Sequence, residues 1–171
     1  GSEMCKETDI IYFYKNLLTF WHNTVILKLF QGEKGRNDLR ITHEADYAIR
    51  VTYCLALAGE KQCAKDISEV TGVTLRFALK ILRKLTQSGI TKSYKGVAGG
   101  YELNHSPSEI SLGAIIECID GPIAINHCLA NEFQCTHMGT QKECDFHRVF
   151  SEINRSLRDQ LCSITMDRFL P

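Results

Sequence analysis

Cys128, Cys135, Cys144 and His147 form a C-x6-C-x8-C-x2-H run. Three thiols and an imidazole are soft donors, suited to an iron–sulfur cluster or to zinc. The run occupies a loop that ends where a helix begins. His147 follows Cys144 by three residues, so both side chains can reach one metal from the same helical face. Three cysteines and a histidine are also a common structural zinc set, and the thiols alone do not separate the two metals. His127 and His137 flank the thiols and read as solvated loop residues. Cys5, Cys54, Cys63, Cys118 and Cys162 are scattered singly. Of these, Cys54, Cys118 and Cys162 stand in apolar helical contexts and read as small core residues. Eight cysteines without a recognisable signal peptide point to a reducing, cytoplasmic compartment, where clustered cysteines bind metal more often than they pair.

The elements that must position this loop are helical. After it, Phe146, Phe150, Ile153, Leu157, Leu161 and Ile164 recur in steps of three and four, which predicts a long amphipathic helix over 146–162. Before it, Ser111 caps a short helix over 111–119 that Asp120, Gly121 and Pro122 stop. Further upstream, Thr42 caps a helix over 43–58, and a short helix over 64–70 leads into the turn Thr71-Gly72-Val73. A third helix over 74–87 closes at Ser88-Gly89. Helix, tight glycine turn, helix is the helix-turn-helix pattern. Two short strands over 90–94 and 100–103 around Gly96-Val97-Ala98-Gly99-Gly100 read as a wing. The fold class is therefore mainly α with a small β-wing: a winged helix-turn-helix followed by a long C-terminal helix.

Lys plus Arg and Asp plus Glu both number 20, so only the distribution of charge is informative. From Val70 to Tyr101 there are six bases (Arg76, Lys80, Arg83, Lys84, Lys92 and Lys95) and no acid, whereas from Glu109 onward nine acids face five bases. A basic block beside an acidic one is the footprint of a DNA reader joined to a non-contacting half. In the helix over 74–87 the apolar set is Leu75, Ala78, Leu79, Leu82 and Leu85, with Arg76, Lys80, Arg83 and Lys84 pointing elsewhere. Thr74 can donate to a phosphate or touch a base. Lys92, Lys95 and the Gly99-Gly100-Tyr101 end of the wing suit contacts to the DNA backbone. The apolar stripe of the last helix predicts a two-fold interface, hence a homodimer on a pseudo-palindromic double-stranded operator.

Several stretches carry a family resemblance. Leu39-Arg-Ile-Thr-His-Glu-Ala-Asp-Tyr-Ala-Ile49, Leu79-Lys-Ile-Leu-Arg-Lys-Leu85 with Gly89-Ile90, the wing from Lys92 to Leu103, and Ile119-Asp-Gly-Pro122 resemble IscR/NsrR-type winged-helix regulators over residues 39–171. The resemblance implies a dimeric cytoplasmic repressor or activator with a 2Fe–2S or 4Fe–4S cluster in each subunit, reporting on cluster supply, nitric oxide, oxidants or iron. Cys128, Cys135 and Cys144 match the family's three-thiol loop, although the gaps of six and eight exceed the five-residue gaps of the best-known branches. One branch takes a histidine as fourth ligand, at the position of His147. The nitric-oxide-sensing branch takes an aspartate near the start of the first helix of the other subunit, at the position of Asp46. Asp46 also reads as an acid complementing its helix dipole, and the local pair of Cys144 and His147 favours the histidine. A zinc-bound regulator and a cluster-free thiol-based regulator are the alternatives.

The chain divides into an N-terminal extension (1–38), a winged helix-turn-helix (39–104) and a cysteine-loop and dimerisation region (105–171). Gly1-Ser2 reads as a cloning remnant. Residues 10–30 read as an amphipathic helix and 31–38 as a linker. Lys15, Asn16, His22, Asn23 and Lys28 interrupt any membrane-spanning run. Leu39-Arg-Ile-Thr42 resembles the start of family members with Leu in place of Met, so a native start at residue 39 is expected. No phosphate loop, paired carboxylates or nucleophile–base pattern is present, which argues against an enzyme.

Overall fold

The computed structural model describes residues 40–96, 99–130 and 144–171. The expected helix over 10–30, its linker, and Cys5, Cys135 and His137 lie outside the described residues, as do Val97 and Ala98 of the wing.

Helix α1 (His43–Ala58) begins at Thr42, whose hydroxyl accepts the Ala45 N–H at 3.1 Å. Helix α2 (Ala64–Thr71) begins at Cys63, whose sulfur accepts the Asp66 N–H at 3.4 Å. It ends on Gly72 at φ 68, a left-handed conformation that a side chain would strain. That turn swings the chain into helix α3 (Leu75–Gln87). Strands β1 (Thr91–Tyr94) and β2 (Gly100–Leu103) form an antiparallel hairpin that pairs Thr91 with Leu103 and Tyr94 with Gly100. Gln62 and Tyr101 exchange backbone hydrogen bonds of 2.9 and 2.8 Å, which fastens the base of the wing to the α1–α2 loop. Helix α4 (Leu112–Asp120) is capped by Ser111, and helix α5 (Asp145–Ser163) starts directly after Cys144. The result is mainly helical with a two-stranded wing, as the sequence predicts. No helix among the described residues is long and apolar enough to cross a membrane.

One core joins these elements. Ala48, Val51 and Leu55 of α1 meet Ile67 of α2 and Ala78, Ile81, Leu82 and Leu85 of α3, with Ile110, Ile115 and Met166 closing it. Met166, 1% exposed, stands on a 3-10 turn (Met166–Phe169) that the sequence reading missed. Bonds of 2.9 Å from Leu112 N–H to the Ile164 carbonyl and from Met166 N–H to the Ile110 carbonyl hold the turn in place. The 3-10 turns Pro107–Glu109 and His127–Leu129 were also missed, being too short to show a period.

Two expectations need correcting. In α3 the buried set is Ala78, Ile81, Leu82 and Leu85, while Leu75 and Leu79 are 44% and 41% exposed. The sequence offers two overlapping stripes that share Ala78, Leu82 and Leu85. Burying Ile81 rotates the helix so that Leu75 and Leu79 turn outward. In addition, Cys162 is half-buried where α5 meets Gly113 of α4 rather than in the core, while Cys118 is half-buried against the edge of the core and donates to the Ser88 hydroxyl at 3.1 Å; only Cys54 of the three is buried.

The stripe on α5 divides. Phe150, Leu157, Leu161 and Ile164 are half-buried, but Phe146 and Ile153 are 77% and 51% exposed, and Val149, outside the expected stripe, is exposed beside them at 44%. The helix packs on α4 at Gly113, where an added Cβ would lie 2.6 Å from Cys162 Sγ. Glycine there lets the two helices approach closely.

Candidate nucleic-acid interface and metal-ligand loop

Helix α3 presents Thr74, Leu75, Arg76, Leu79, Lys80 and Arg83 to solvent. Thr74 stands at its N-cap, yet its hydroxyl makes no capping bond and is available to an outside acceptor. Arg76, Arg83 and Lys95 form no ion pair or hydrogen bond with another described residue. The other bases are engaged. Glu44 of α1 ion-pairs with Lys84 Nζ at 2.7 Å and with Lys80 Nζ at 2.9 Å. The Lys84 ammonium, then that of Lys80, holds the Glu44 carboxyl below the usual carboxylate range. Lys84 also donates to the Ile119 carbonyl at 3.3 Å, so it ties α3 to both α1 and α4.

The wing carries a similar lock. Lys92 stands opposite Glu102 in the hairpin register and ion-pairs with it at 2.9 Å, while the Tyr94 hydroxyl donates to the same carboxylate at 2.7 Å. The bond from Tyr94 and then that from Lys92 lower the Glu102 pKa, and the carboxylate in turn raises those of Lys92 and Tyr94. Glu102, one residue beyond the acid-free block, went unweighed in the sequence reading. Gly100 is buried against the Gln62 carbonyl, and Tyr101 packs on the core. Both sit in the sheet, whereas Gly99 and Lys95 flank the tip.

In the ligand loop, Cys128 lies on the 3-10 turn His127–Leu129, which packs against α5, the helix that carries His147. Cys144 is the N-cap residue of α5 and makes no side-chain cap bond. Both thiols are free and half-buried. His147 Nδ1 is buried and has no hydrogen-bond partner among the described residues. Asp46 is satisfied within its own helix by Arg50, 2.8 Å away. Among the described residues no three His, Cys, Asp or Glu side chains converge on one point; Cys135 lies outside that set. Cys54 is set apart from this chemistry, because burial pushes its thiol up to about 11.

The loop is wired to α3. Asn154 of α5 accepts the Ile125 N–H at 3.0 Å and donates to the Ile123 carbonyl at 2.9 Å. Arg158 grips Glu117 of α4 through bonds of 2.6 and 3.0 Å, which lower the Glu117 pKa. At the end of α4, Asp120 accepts from the Thr42 hydroxyl at 2.5 Å and from its N–H at 3.3 Å. Thr42 in turn caps α1. These side chains link α5 to α4, and α4 to both α1 and α3. Of these polar residues, Asn154, Arg158 and Glu117 read in the sequence as ordinary surface residues, and Asp120 reads only as part of a helix stop.

Comparison with known proteins places this geometry. Residues 41–171 match the Rrf2 family, described as an iron-dependent transcriptional regulator. Two HTH-type transcriptional regulators of Mycobacterium tuberculosis are 35% identical over 88 residues, 50% of this chain and 55% of each relative. The match therefore spans about half the length of those two proteins. The regulator IscR of Pectobacterium carotovorum is 27% identical over 77% of this chain and 79% of its own. Among solved structures, CymR, the global cysteine regulator of B. subtilis, superposes with a TM-score of 0.60 at 21% identity, covering 76% of this chain and 95% of that one. IscR of T. potens superposes with a TM-score of 0.56 at 23% identity, over 78% and 87% of the two chains. At these identities the solved structures share the fold. The relatives are transcription regulators, not enzymes. With a helix-turn-helix, a wing and a family match that runs through the cysteine loop to the last residue, the chain belongs to the Rrf2 family of DNA-binding transcriptional regulators.

Proposed function

We propose that this chain is a homodimeric cytoplasmic regulator whose operator affinity is set by an iron–sulfur cluster held by Cys128, Cys135, Cys144 and His147. The observation that carries the reading is His147. Its Nδ1 is shut away from water with no partner among the described residues, which costs free energy, on the order of 1–3 kcal/mol, unless a ligand satisfies it. It stands one turn from Cys144 and on the helix that receives the turn of Cys128. Asp46, already paired with Arg50, has no such vacancy, which favours His147 as the fourth ligand. Three thiolates and one imidazole suit either a 2Fe–2S or a 4Fe–4S cluster. When bound, such a cluster supplies iron whose non-thiolate ligand leaves it open to nitric oxide or oxygen.

The remaining steps belong to the chain's own side chains. Asn154 and Arg158 hold the start of the loop and α4 on α5, while Asp120 and Lys84 hold α4 on α1 and α3. A shift of α5 is thereby delivered to the helix that faces DNA, as a bias between two arrangements. In this reading Thr74, Arg76, Lys80 and Arg83 of α3 meet the major groove, and Lys95 and Gly99 meet the backbone beside it. Lys84, Lys92, Gly100 and Tyr101 position them. Residues 39–104 are the DNA-binding unit, and 105–171 carry the ligand loop and the dimer helix. The exposed Phe146, Val149 and Ile153 support a two-fold contact along α5, which would set two α3 helices about 34 Å apart on a pseudo-palindrome.

Anaerobic purification followed by visible absorbance, iron and sulfide analysis tests the cofactor. Iron and sulfide with a visible band, lost in Cys128→Ala, Cys135→Ala and Cys144→Ala but kept in Cys54→Ala, is the expected result. A colourless protein with stoichiometric zinc would replace the cluster by zinc. A metal-free protein whose DNA response survives all three changes would overturn both.

A further inference from the structure

We infer that Leu75 and Leu79 are base-reading residues that recognise the C5 methyl groups of thymines in the major groove. The inference rests on the reading that α3 is the helix that faces DNA. These leucines are 44% and 41% exposed, one helical turn apart, on the flank of α3 between the buried Ala78 and Leu82 and the solvent-facing Arg76, Lys80 and Arg83. A single exposed leucine needs no explanation. Here two of them form a stripe that continues into Arg83 at the same four-residue spacing, beside a second row of Arg76 and Lys80.

The chemistry of that frame identifies the occupant. Arg76 and Arg83 have no partner among the described residues, and Lys80, paired with Glu44 of α1 and set over the Phe77 ring, is still 55% exposed. A surface that covers the leucines must therefore offer apolar spots between negative charges. The major groove does so: thymine methyls are its apolar contact points, and phosphates line both walls. A purely apolar protein surface would leave the guanidinium groups without partners at its edge. Leu75 and Leu79 rise about 6 Å along α3, close to two base-pair rises of about 3.4 Å. They can thus meet methyls one or two base pairs apart.

The test starts from duplexes selected out of a random double-stranded pool by the full chain, purified anaerobically. Each thymine of the selected site is then replaced by uracil, which removes the methyl and nothing else. Binding to the unaltered protein should weaken about threefold to fivefold for each contacted methyl. Leu75→Ala and Leu79→Ala, checked for native helicity, should bind the thymine and uracil duplexes equally at the matching positions. A selected site without fixed thymines, or indifference to uracil throughout, overturns the inference. If Arg76→Ala and Arg83→Ala still weaken binding in that case, only the leucines are misassigned. If those arginine variants also bind unchanged at every salt concentration, the assignment of α3 to DNA falls with them. Variants that alter the oligomeric state but keep thymine sensitivity would make the stripe a protein contact, and the inference would be wrong.

Discussion

Replacing Glu44 by Gln should make the protein less stable and a better binder of DNA at once. Glu44 has 19% of its side chain exposed and holds Lys84 at 2.7 Å and Lys80 at 2.9 Å. Surface pairs contribute about 0.2–1 kcal/mol each, and the half-buried Lys84 belongs at the upper end, so removing both costs about 1 kcal/mol. For a chain of this size that lowers Tm by about 2–4 °C. Lys84 keeps its bond to the Ile119 carbonyl, which limits the loss. Lys80, 55% exposed, gains freedom instead. One additional phosphate contact steepens the dependence of log affinity on log salt by about 0.9. Between 50 and 200 mM salt the wild-type and variant affinities should then diverge by roughly threefold. Calorimetry and fluorescence anisotropy over a salt series read the two effects separately. A variant with lower Tm but an unchanged salt slope would mean that Lys80 does not reach a phosphate once freed.

The same pair sets a pH window. The folded-state pKa of Glu44 is depressed, so the contribution is complete above the ordinary value of 4.5 and is lost as pH falls through the lower folded value. Between pH 5 and 8 this pair should leave stability flat. Acid unfolding curves of Glu44→Gln and wild type should converge as pH drops below 4.5.

Three further outcomes are expected. Arg83→Ala and Lys95→Ala should each reduce the salt slope by about one with little change in stability, whereas Lys84→Ala should lose stability first; equal behaviour of all three in both assays would contradict the pairing described above. Gly113→Ala should cost about 1–3 kcal/mol in urea unfolding, because its new methyl meets Cys162 Sγ at 2.6 Å, and Cys162→Ala should recover part of that loss. Ile153→Glu on the exposed face of α5 should shift sedimentation from dimer to monomer while leaving the helical signal intact; an unchanged dimer would move the proposed interface elsewhere.

What could be read from the sequence follows from how local the controlling physics is. Helix α1 was bounded correctly because Thr42 and Gly59 act on neighbours within one turn. The hairpin was recovered for the same reason, from its glycines and short β-rich runs. The rotation of α3 was not, since Leu75 and Ile81 compete for one core and only α1, α2 and the 110–115 segment decide between them. The charges failed in the same way. Counting six bases without an acid from Val70 to Tyr101 ignored Glu44, which lies 36 and 40 positions before its two lysines, and Glu102, one residue past the window. Met166 was invisible because a four-residue 3-10 turn has no period to detect.

This failure of locality bears on how a regulator of this kind can work. The bases that a sequence count assigns to DNA fall into two groups, and the separating feature is a partner far away in the chain. Arg76, Arg83 and Lys95 are unpaired among the described residues, while Lys84 and Lys92 are spent on holding α3 and the wing in place. Lys84 is the residue where the two roles meet. Its ammonium lies on the helix proposed to face DNA, yet its bonds go to Glu44 of α1 and to the last turn of α4. Through Glu117 and Arg158 the same α4 is fastened to α5. Any change that loosens α4 from α5 would therefore be felt first at Lys84, by way of the Ile119 carbonyl, before it reaches Arg76 or Arg83. Lys84→Met keeps the aliphatic stem and removes the charge. It should leave DNA affinity near that of the wild type while uncoupling it from the state of the loop cysteines. Parallel titrations of anaerobic and oxidised protein would measure this: a variant that still responds fully to oxidation would show that the signal travels by another route.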